Sequence, residues 1–481
     1  MGDDWQGRVT NKGAANQRDG EGSPSTSSGR GSSARKRRVK VGLISLGCPK
    51  NVVDAERLLG RFLEAGHEPT SDPKQADILL VNTCGFKADA EAESRAAIAE
   101  MAALKAAHPG KRLVVTGCLA QRHGEKLRDE IPAIDLLAGT TGHDHLLERL
   151  SIPITPMPAA DFSPASETGP RLLTTPSHTA YLKIAEGCDN PCTFCIIPRL
   201  RGPFRSRPLE EIIAEAEALA AGGVRELIVV SQDTTLYGRD LSPRLTLVDL
   251  LTRLERIRGV RWIRLMYLYP TLITDALLDH MAASTRILPY FDLPLQHADD
   301  GVLRRMRRAE RADDLERLLV RIRTRIPAAV LRSVFITGFP GESEAEFAVL
   351  RAFVARSRFD HVGVFGFSDE PEATAFTLPD KVPMAVAEAR RAELMTLQQG
   401  ISREKLAEKV GQRLEMVIDG AEGSHPPRLV GRTTGQALEI DGITRLEGRA
   451  TFPPGTFLPV VITASGDYDL KARQAGPPIA K

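Results

Sequence analysis

Apolar positions along this chain fall into two patterns. Three runs near the start, KVGLISLGC (40–48), ADILLVNTC (76–84) and KRLVVTGC (111–118), are apolar on consecutive residues, as parallel strands buried on both faces should be. Between them DAERLLGRFLEAG and ADAEAESRAAIAEMAALKAAH carry a helical spacing. Strand, helix, strand repeats predict a parallel sheet with right-handed crossovers, a Rossmann-like α/β arrangement, over 39–150. From 177 to 405 the alternation resumes. AYLKIAEGC, ELIVVSQD, WIRLMYLYP, YFDLPLQH, VLRSVFITGFPGE and HVGVFGFSDE are strand-like, and helical segments separate most of them. About six such units predict a complete or partial (βα) barrel with its site at the strand carboxyl ends. After 409 the pattern shortens to RLEMVIDGAEG, PRLVGRTT, ALEIDGITRL and FLPVVITASGDYDL, punctuated by Gly and Asp. These runs predict a small all-β barrel over 409–475.

The flanking segments lack either pattern. Residues 1–38 are rich in Gly, Ser, Arg and Asp with almost no large apolar side chains, so they cannot offset their ordering entropy and are expected to be a disordered tail. Residues 151–176, dense in Pro, Ser and Thr, read as a linker. The formal net charge of +2 selects no polyanionic partner. No apolar run of membrane-spanning length and no signal-peptide core is found, which predicts a cytoplasmic protein without a membrane partner. In a reducing compartment its six cysteines are better read as ligands than as disulfides.

Each of the first three strand runs ends in cysteine, at Cys48, Cys84 and Cys118, 36 and then 34 residues apart. That interval is about one βαβ unit, so the three thiols should emerge at one edge of one sheet, where such folds place their ligands. Three buried structural cysteines are the plainer alternative. The other three, Cys188, Cys192 and Cys195, stand in GCDNPCTFCIIPRLRGPFRSR. Iron–sulfur clusters are held by thiolates, usually four per cubane, and a set of three leaves one iron open as catalytic metal sites do. Zinc would complete its set with a second Cys or His pair at its own spacing, and none follows.

This Cys-x3-Cys-x2-Cys spacing resembles the radical AdoMet enzymes, in which S-adenosyl-L-methionine fills the open iron. The aromatic at Phe194 matches that pattern and would lie near the adenine. With a second three-cysteine set and a small β-domain, the chain is similar to the methylthiotransferases over about 39–475. SLGCPKNVVDAE, NTCGF, GCLAQR, CTFCIIPRLRGPFRSR, SQDTTLYG, MYLYP, DLPLQH and GRTTGQALEIDG resemble the RimO branch, which acts on a ribosomal protein. The resemblance implies two 4Fe-4S clusters, one on Cys48, Cys84 and Cys118 and one on Cys188, Cys192 and Cys195. It further implies a TRAM- or OB-like C-terminal domain and methylthiolation of the β-carbon of one aspartate near the decoding centre. A reduced flavodoxin or ferredoxin is the implied electron donor. No side chain is nominated as a catalytic acid or base beyond the cluster ligands.

Ser231 and Gln232 after ELIVV, Gln296 after FDLPL, and Arg332 in VLRSVFITGFPGE are candidate contacts for AdoMet; each equally fits a satisfied hydrogen-bonding residue at a strand terminus. The family's usual Gly-Gly-Glu is replaced by SQDT. His297 reads as structural, GFPGE as a tight turn, and RRMRR (304–308) as a solvated helix face. Two other functions stay open: a tRNA adenosine methylthiotransferase, and a non-catalytic iron–sulfur protein that binds RNA or the ribosome. Residues 408–475 hold eight Lys or Arg and nine Asp or Glu, which suits a protein substrate better than a phosphate backbone and disfavours tRNA. That β-domain is the expected docking surface, through an exposed strand edge.

Overall fold

The continuous apolar runs form strands in the computed structural model, which describes residues 38–140, 146–150, 170–423, 427–448 and 451–479. Residues 1–37 and 151–169, which hold most of the expected tail and linker, lie outside the described residues. The chain divides into two compact units, one built mainly from the residues up to Pro176 and one from Ser177 to Lys481.

In the first unit β1 (Lys40–Ser45), β2 (Glu68–Thr70), β3 (Ile78–Thr83), β4 (Arg112–Gly117) and β5 (Leu136–Ala138) form one sheet in the order β2-β1-β3-β4-β5. Every pairing is parallel. Leu79, Val81, Leu113 and Val115 face one apolar layer, and Val41, Leu80 and Val114 face the other, so both faces are covered and no polar alternation is needed. The edge strands β2 and β5 have three residues each, too short to register as a periodic run.

The second unit holds the six strands expected of the barrel: β6 (Thr179–Lys183), β9 (Glu226–Val230), β10 (Trp262–Leu265), β11 (Tyr290–Gln296), β12 (Val330–Thr337) and β13 (His361–Gly366). They form two parallel three-stranded sheets, β10-β9-β6 and β11-β12-β13, linked by an Ile263–Ile287 bridge. The barrel is therefore partial. A two-residue ribbon of β7 (Ala185–Glu186) and β8 (Arg205–Ser206) brackets the cysteine loop.

After the helix Met384–Ala407 come β14 (Arg413–Glu422), β15 (Arg428–Thr433), β16 (Thr444–Leu446), β17 (Phe457–Ser465) and β18 (Leu470–Gln474). These strands close into a barrel in the order β14-β15-β16-β18-β17 around Met416, Ile418, Leu458, Val460 and Leu470. Closure corrects the expectation of an exposed docking edge, because each strand has a neighbour on both sides. The last apolar run breaks at Gly466–Asp467 into two strands, and only the end of ALEIDGITRL is extended. No helix among the described residues is long and apolar enough to cross a membrane.

Charged groups join the two barrels of this unit at the amino ends of the parallel strands. Arg264 Nε lies 3.0 Å from Glu226, and Arg432 of β15 reaches Glu226 at 2.8 Å and Asp419 at 2.8 Å. Trp262 Nε1 donates to Glu415 at 2.8 Å, and the Tyr290 hydroxyl donates to Asp441 at 2.7 Å. Glu226, Arg264 and Arg432 are almost wholly buried. Burial alone would raise the Glu226 carboxyl, but Arg432 and Arg264 overcome it and hold it below the usual range.

A buried pair broken on one side leaves the other charge unmatched. Glu226→Ala should therefore cost about 3–5 kcal/mol, read as a lower urea midpoint, whereas Glu210→Ala at the exposed Arg253 pair should leave that midpoint unchanged. A carboxyl held low in the folded state contributes stability above its unfolded pKa, roughly 4.3. That contribution should be lost as pH falls through the folded value.

Candidate functional site

In the first unit the register sets the positions of the thiols. Ser45 pairs with Asn82, and Asn82 with Thr116, so β1, β3 and β4 end level. Cys48, Cys84 and Cys118 each follow within three residues. Adjacent strands are about 4.8 Å apart, which places three successive loops side by side. The helix Pro49–Glu64 starts directly after Cys48, its N-cap, an end that favours the negative charge of a bound thiolate.

The loops touch because glycine stands where they meet. At Gly47 (φ +97°) a Cβ would lie 2.9 Å from Cys84 Cβ and 3.2 Å from its Sγ. At Gly117 (φ +93°) it would lie 2.5 Å from Thr83 O. Asn51, fully buried, donates from Nδ2 to Leu46 O (2.8 Å) and Thr83 O (3.0 Å). Its Oδ1 then faces the Cys118 thiol at 3.8 Å. Asn82 Nδ2 donates to Asn51 O (2.8 Å). The Cys84 N–H donates to Ser94 Oγ (3.0 Å), and that hydroxyl donates back to Cys84 O (2.8 Å). Asn51, Asn82 and Ser94 escaped the sequence reading. Asn51 and Asn82 stand inside SLGCPKNVVDAE and NTCGF, which was their only signal, and Ser94, ten residues after Cys84, had none.

In the second unit Cys188, Cys192 and Cys195 lie in the loop after β6, and the six cysteines form no disulfide. Burial pushes Cys188 up to about 11 and Cys195 up to about 12, and raises Cys192 as well. Yet donors point at every sulfur. Asn190 Nδ2 lies 3.4 Å from Cys188 Sγ, the Ile197 N–H 3.4 Å from Cys195 Sγ, and Arg308 Nη1 3.8 Å from Cys192 Sγ. These surroundings suit sulfur as an acceptor, the role of a metal-bound thiolate. Among the described residues no group of three His, Cys, Asp or Glu side chains is drawn together as a single-ion site.

Around this loop Asp233 accepts from Asn190 (2.8 Å) and from Thr235 N (3.1 Å), and burial raises its pKa. Gln232 Nε2 donates to Glu186 Oε1 (2.5 Å), while its buried Oε1 has no partner among the described residues. Ser231 is fully buried and its hydroxyl donates to Thr234 Oγ1 (3.4 Å). Gln296 ends β11 at φ +72°, just after a register shift beginning at Leu293, a re-aimed backbone of the kind found at functional sites. Phe194 is half-buried against Val302, Met306, Phe339 and Phe367. Arg332 is placed differently. Its guanidinium binds Asp292 (2.6 Å) and faces Asp441 of the C-terminal barrel (3.7 Å), so it belongs with the ion pairs at the amino ends.

His297 is structural, as expected: its Nδ1 accepts from the Asp299 N–H (3.0 Å), and burial lowers its pKa to about 3, leaving it neutral. RRMRR is not a solvated face throughout. Arg308 is buried, bonded to Glu310 (2.6 Å) and stacked 4.1 Å above Tyr269, and Arg305 is clasped by Glu346 (3.0 Å) and Pro340 O (3.1 Å). Only Arg304 and Arg307 are exposed.

Residues 40–139 match the uncharacterized protein family UPF0004, 182–354 the radical SAM superfamily and 410–474 the TRAM domain. The ribosomal protein uS12 methylthiotransferase RimO of Anaeromyxobacter sp. (strain K) is 46% identical over 438 residues, 90% of this chain and 93% of that relative. The protein of that name from Aquifex aeolicus (strain VF5) is 44% identical over 435 residues, 90% of this chain and 97% of the relative. The chain belongs to the RimO family. Both units fall within these matches, and the resemblance read from the motifs is borne out. The radical S-adenosylmethionine methyltransferase TsrM from Kitasatospora setae, at 15% identity and a TM-score of 0.53 over 81% of this chain and 82% of that one, shares the fold.

Gly117→Ala forces a Cβ against Thr83 and a left-handed backbone onto alanine. It should destabilise the first unit by about 1–3 kcal/mol, measured as a lower thermal midpoint, and should reduce the iron retained there after anaerobic reconstitution.

Proposed function

We propose that this chain is a radical AdoMet sulfur transferase that methylthiolates the β-carbon of one aspartate in the small-subunit ribosomal protein uS12. The observation that carries this reading is the division of six cysteines into two three-thiol sets, each at the carboxyl end of a parallel sheet, in a chain 46% identical to a RimO.

When bound, a 4Fe-4S cluster on Cys188, Cys192 and Cys195 supplies one-electron reduction of AdoMet, and one on Cys48, Cys84 and Cys118 holds the sulfur to be transferred. The chain's own residues orient and shield. Asn190, Arg308 and the Ile197 N–H hold the three sulfurs as acceptors. Gln232 offers an open, buried Oε1 to the methionine end of AdoMet, with Ser231 and Gln296 beside the same strand ends. Phe194, half-buried beside the apolar cluster of Val302, Met306, Phe339 and Phe367, takes the adenine. No general base is required for hydrogen abstraction from the aspartate, and none is assigned.

The basic residues of the C-terminal barrel support a protein substrate. Arg432 is buried against Glu226 and Asp419, and Arg445 is held between Glu422 and Asp469. Glu415, Asp419 and Asp441 turn inward together with Arg432, so what remains outside is close to neutral and lacks the basic excess that counterion release needs for RNA binding. Domain limits at 39–150, 177–405 and 409–475 follow this assignment. A reduced flavodoxin or ferredoxin serves as donor, and the cytoplasm, where the ribosome lies, is the place of action.

Reconstituted protein should hold about eight iron atoms per chain, two cubanes' worth, and about half of these should remain after Cys188, Cys192 and Cys195 are replaced by Ala. Loss of all iron, or a zinc-only preparation, contradicts the two-cluster reading. For the substrate, the protein is incubated anaerobically with AdoMet, sulfide, reductant, uS12 and tRNA. Mass spectrometry should find a gain of one sulfur plus one CH₂ on a uS12 aspartate and none on tRNA. The gain on tRNA alone would reverse the assignment.

A further inference from the structure

Beside the second cysteine loop lies a cavity of about 460 Å³ whose lining includes Asn190, Pro191, Tyr269 and five arginines but no carboxylate. Two of its wall residues touch the candidate ligands directly. Asn190 donates to Cys188 Sγ at 3.4 Å, and Arg308 reaches Cys192 Sγ at 3.8 Å. The cavity floor is thus one side chain from two of the three thiols. Its rim is different. Arg239, Arg304 and Arg307 are exposed, and none has a side-chain ion pair among the described residues, whereas Arg308 is neutralised by Glu310 at 2.6 Å. Three unmatched cations around one opening repel one another unless an anionic surface meets them.

We propose that this rim is the docking surface for an acidic one-electron carrier protein of the flavodoxin or ferredoxin class. The inference rests on the radical AdoMet reading of Cys188, Cys192 and Cys195. One electron would leave the carrier, oxidising it by one, and would be accepted by the iron–sulfur cluster that Cys188, Cys192 and Cys195 would hold; no proton or group moves at the rim. Charge on a rim mainly governs encounter and salt dependence, which matches a carrier that must bind, deliver and leave. An RNA backbone would also meet three arginines, but it gains nothing from a cavity that ends at two ligand sulfurs.

The test uses the full chain with both clusters rebuilt and compares the parent with the triple variant Arg239→Glu, Arg304→Glu, Arg307→Glu. 5′-Deoxyadenosine formation is followed with reduced flavodoxin as donor and, separately, with dithionite. For the parent, the flavodoxin-driven rate should fall as salt is raised. In the variant the flavodoxin concentration for half-maximal rate should rise at least about tenfold, with a flattened salt dependence. The ratio of flavodoxin-driven to dithionite-driven rate should fall accordingly, and the Arg→Lys triple variant should restore it. An unchanged flavodoxin requirement in the Glu variant overturns the docking surface. Weakened binding of a ribosomal RNA fragment with unchanged flavodoxin kinetics overturns it in favour of RNA. Failure of the parent to cleave AdoMet even with dithionite would instead refute the radical reading beneath it.

Discussion

Level termination of neighbouring parallel strands is the constraint on which the first thiol set depends. Because Ser45, Asn82 and Thr116 stand opposite one another, three cysteines far apart in sequence leave the sheet at the same height. A one-residue slip would send side chains to the other face of the sheet and spoil that alignment. Gly47 and Gly117 then admit a backbone approach that no side chain would allow. Asn51 ties the loops after β1 and β3 with one amide group while facing Cys118 with its remaining oxygen. Placement of the three cysteine loops at one sheet edge is thus a property of the sheet, and the amides refine it.

The second unit separates chemistry from stability along the strand direction. Its cysteine loop, Gln232, Asp233 and Gln296 lie at carboxyl ends, while Glu226, Trp262 and Tyr290 begin their strands and bind the C-terminal barrel. Parallel barrels use their two ends in this way in general. A consequence is that the C-terminal barrel turns Arg432, Asp419, Glu415 and Asp441 inward to its neighbour, so its formal charge is not the charge a substrate meets. Buried ion pairs of this kind contribute little net stability compared with apolar packing, but they penalise any arrangement that leaves one partner unmatched.

Much of this was legible in the sequence, for a physical reason. Strands buried on both faces read as continuous apolar runs, so β1, β3, β4, β6, β9 and β10 were recognisable. By contrast β12 and β13, half-buried on alternate or most positions, were marked by apolar and aromatic content alone. Both cysteine sets were legible too. What escaped has no local signature. The edge strands β2 and β5 and the ribbon of β7 and β8 are two or three residues long. Closure of the C-terminal barrel depends on non-local pairing of β14 with β17. Arg308 looked like its exposed neighbours because burial beside Glu310 and Tyr269 is decided by tertiary packing. Arg332 sits on the expected strand, but near its amino end, where Asp292 and Asp441 claim it.

The function depends on a division of labour between the two thiol sets, and one comparison separates them. Protein carrying Cys48→Ala, Cys84→Ala and Cys118→Ala is reconstituted anaerobically and assayed with AdoMet, reductant and uS12 for both 5′-deoxyadenosine and the methylthio product. 5′-Deoxyadenosine should still form while the methylthio product is absent. Normal methylthiolation by this variant would contradict that division, because sulfur transfer would then not depend on the sheet edge that carries those three thiols.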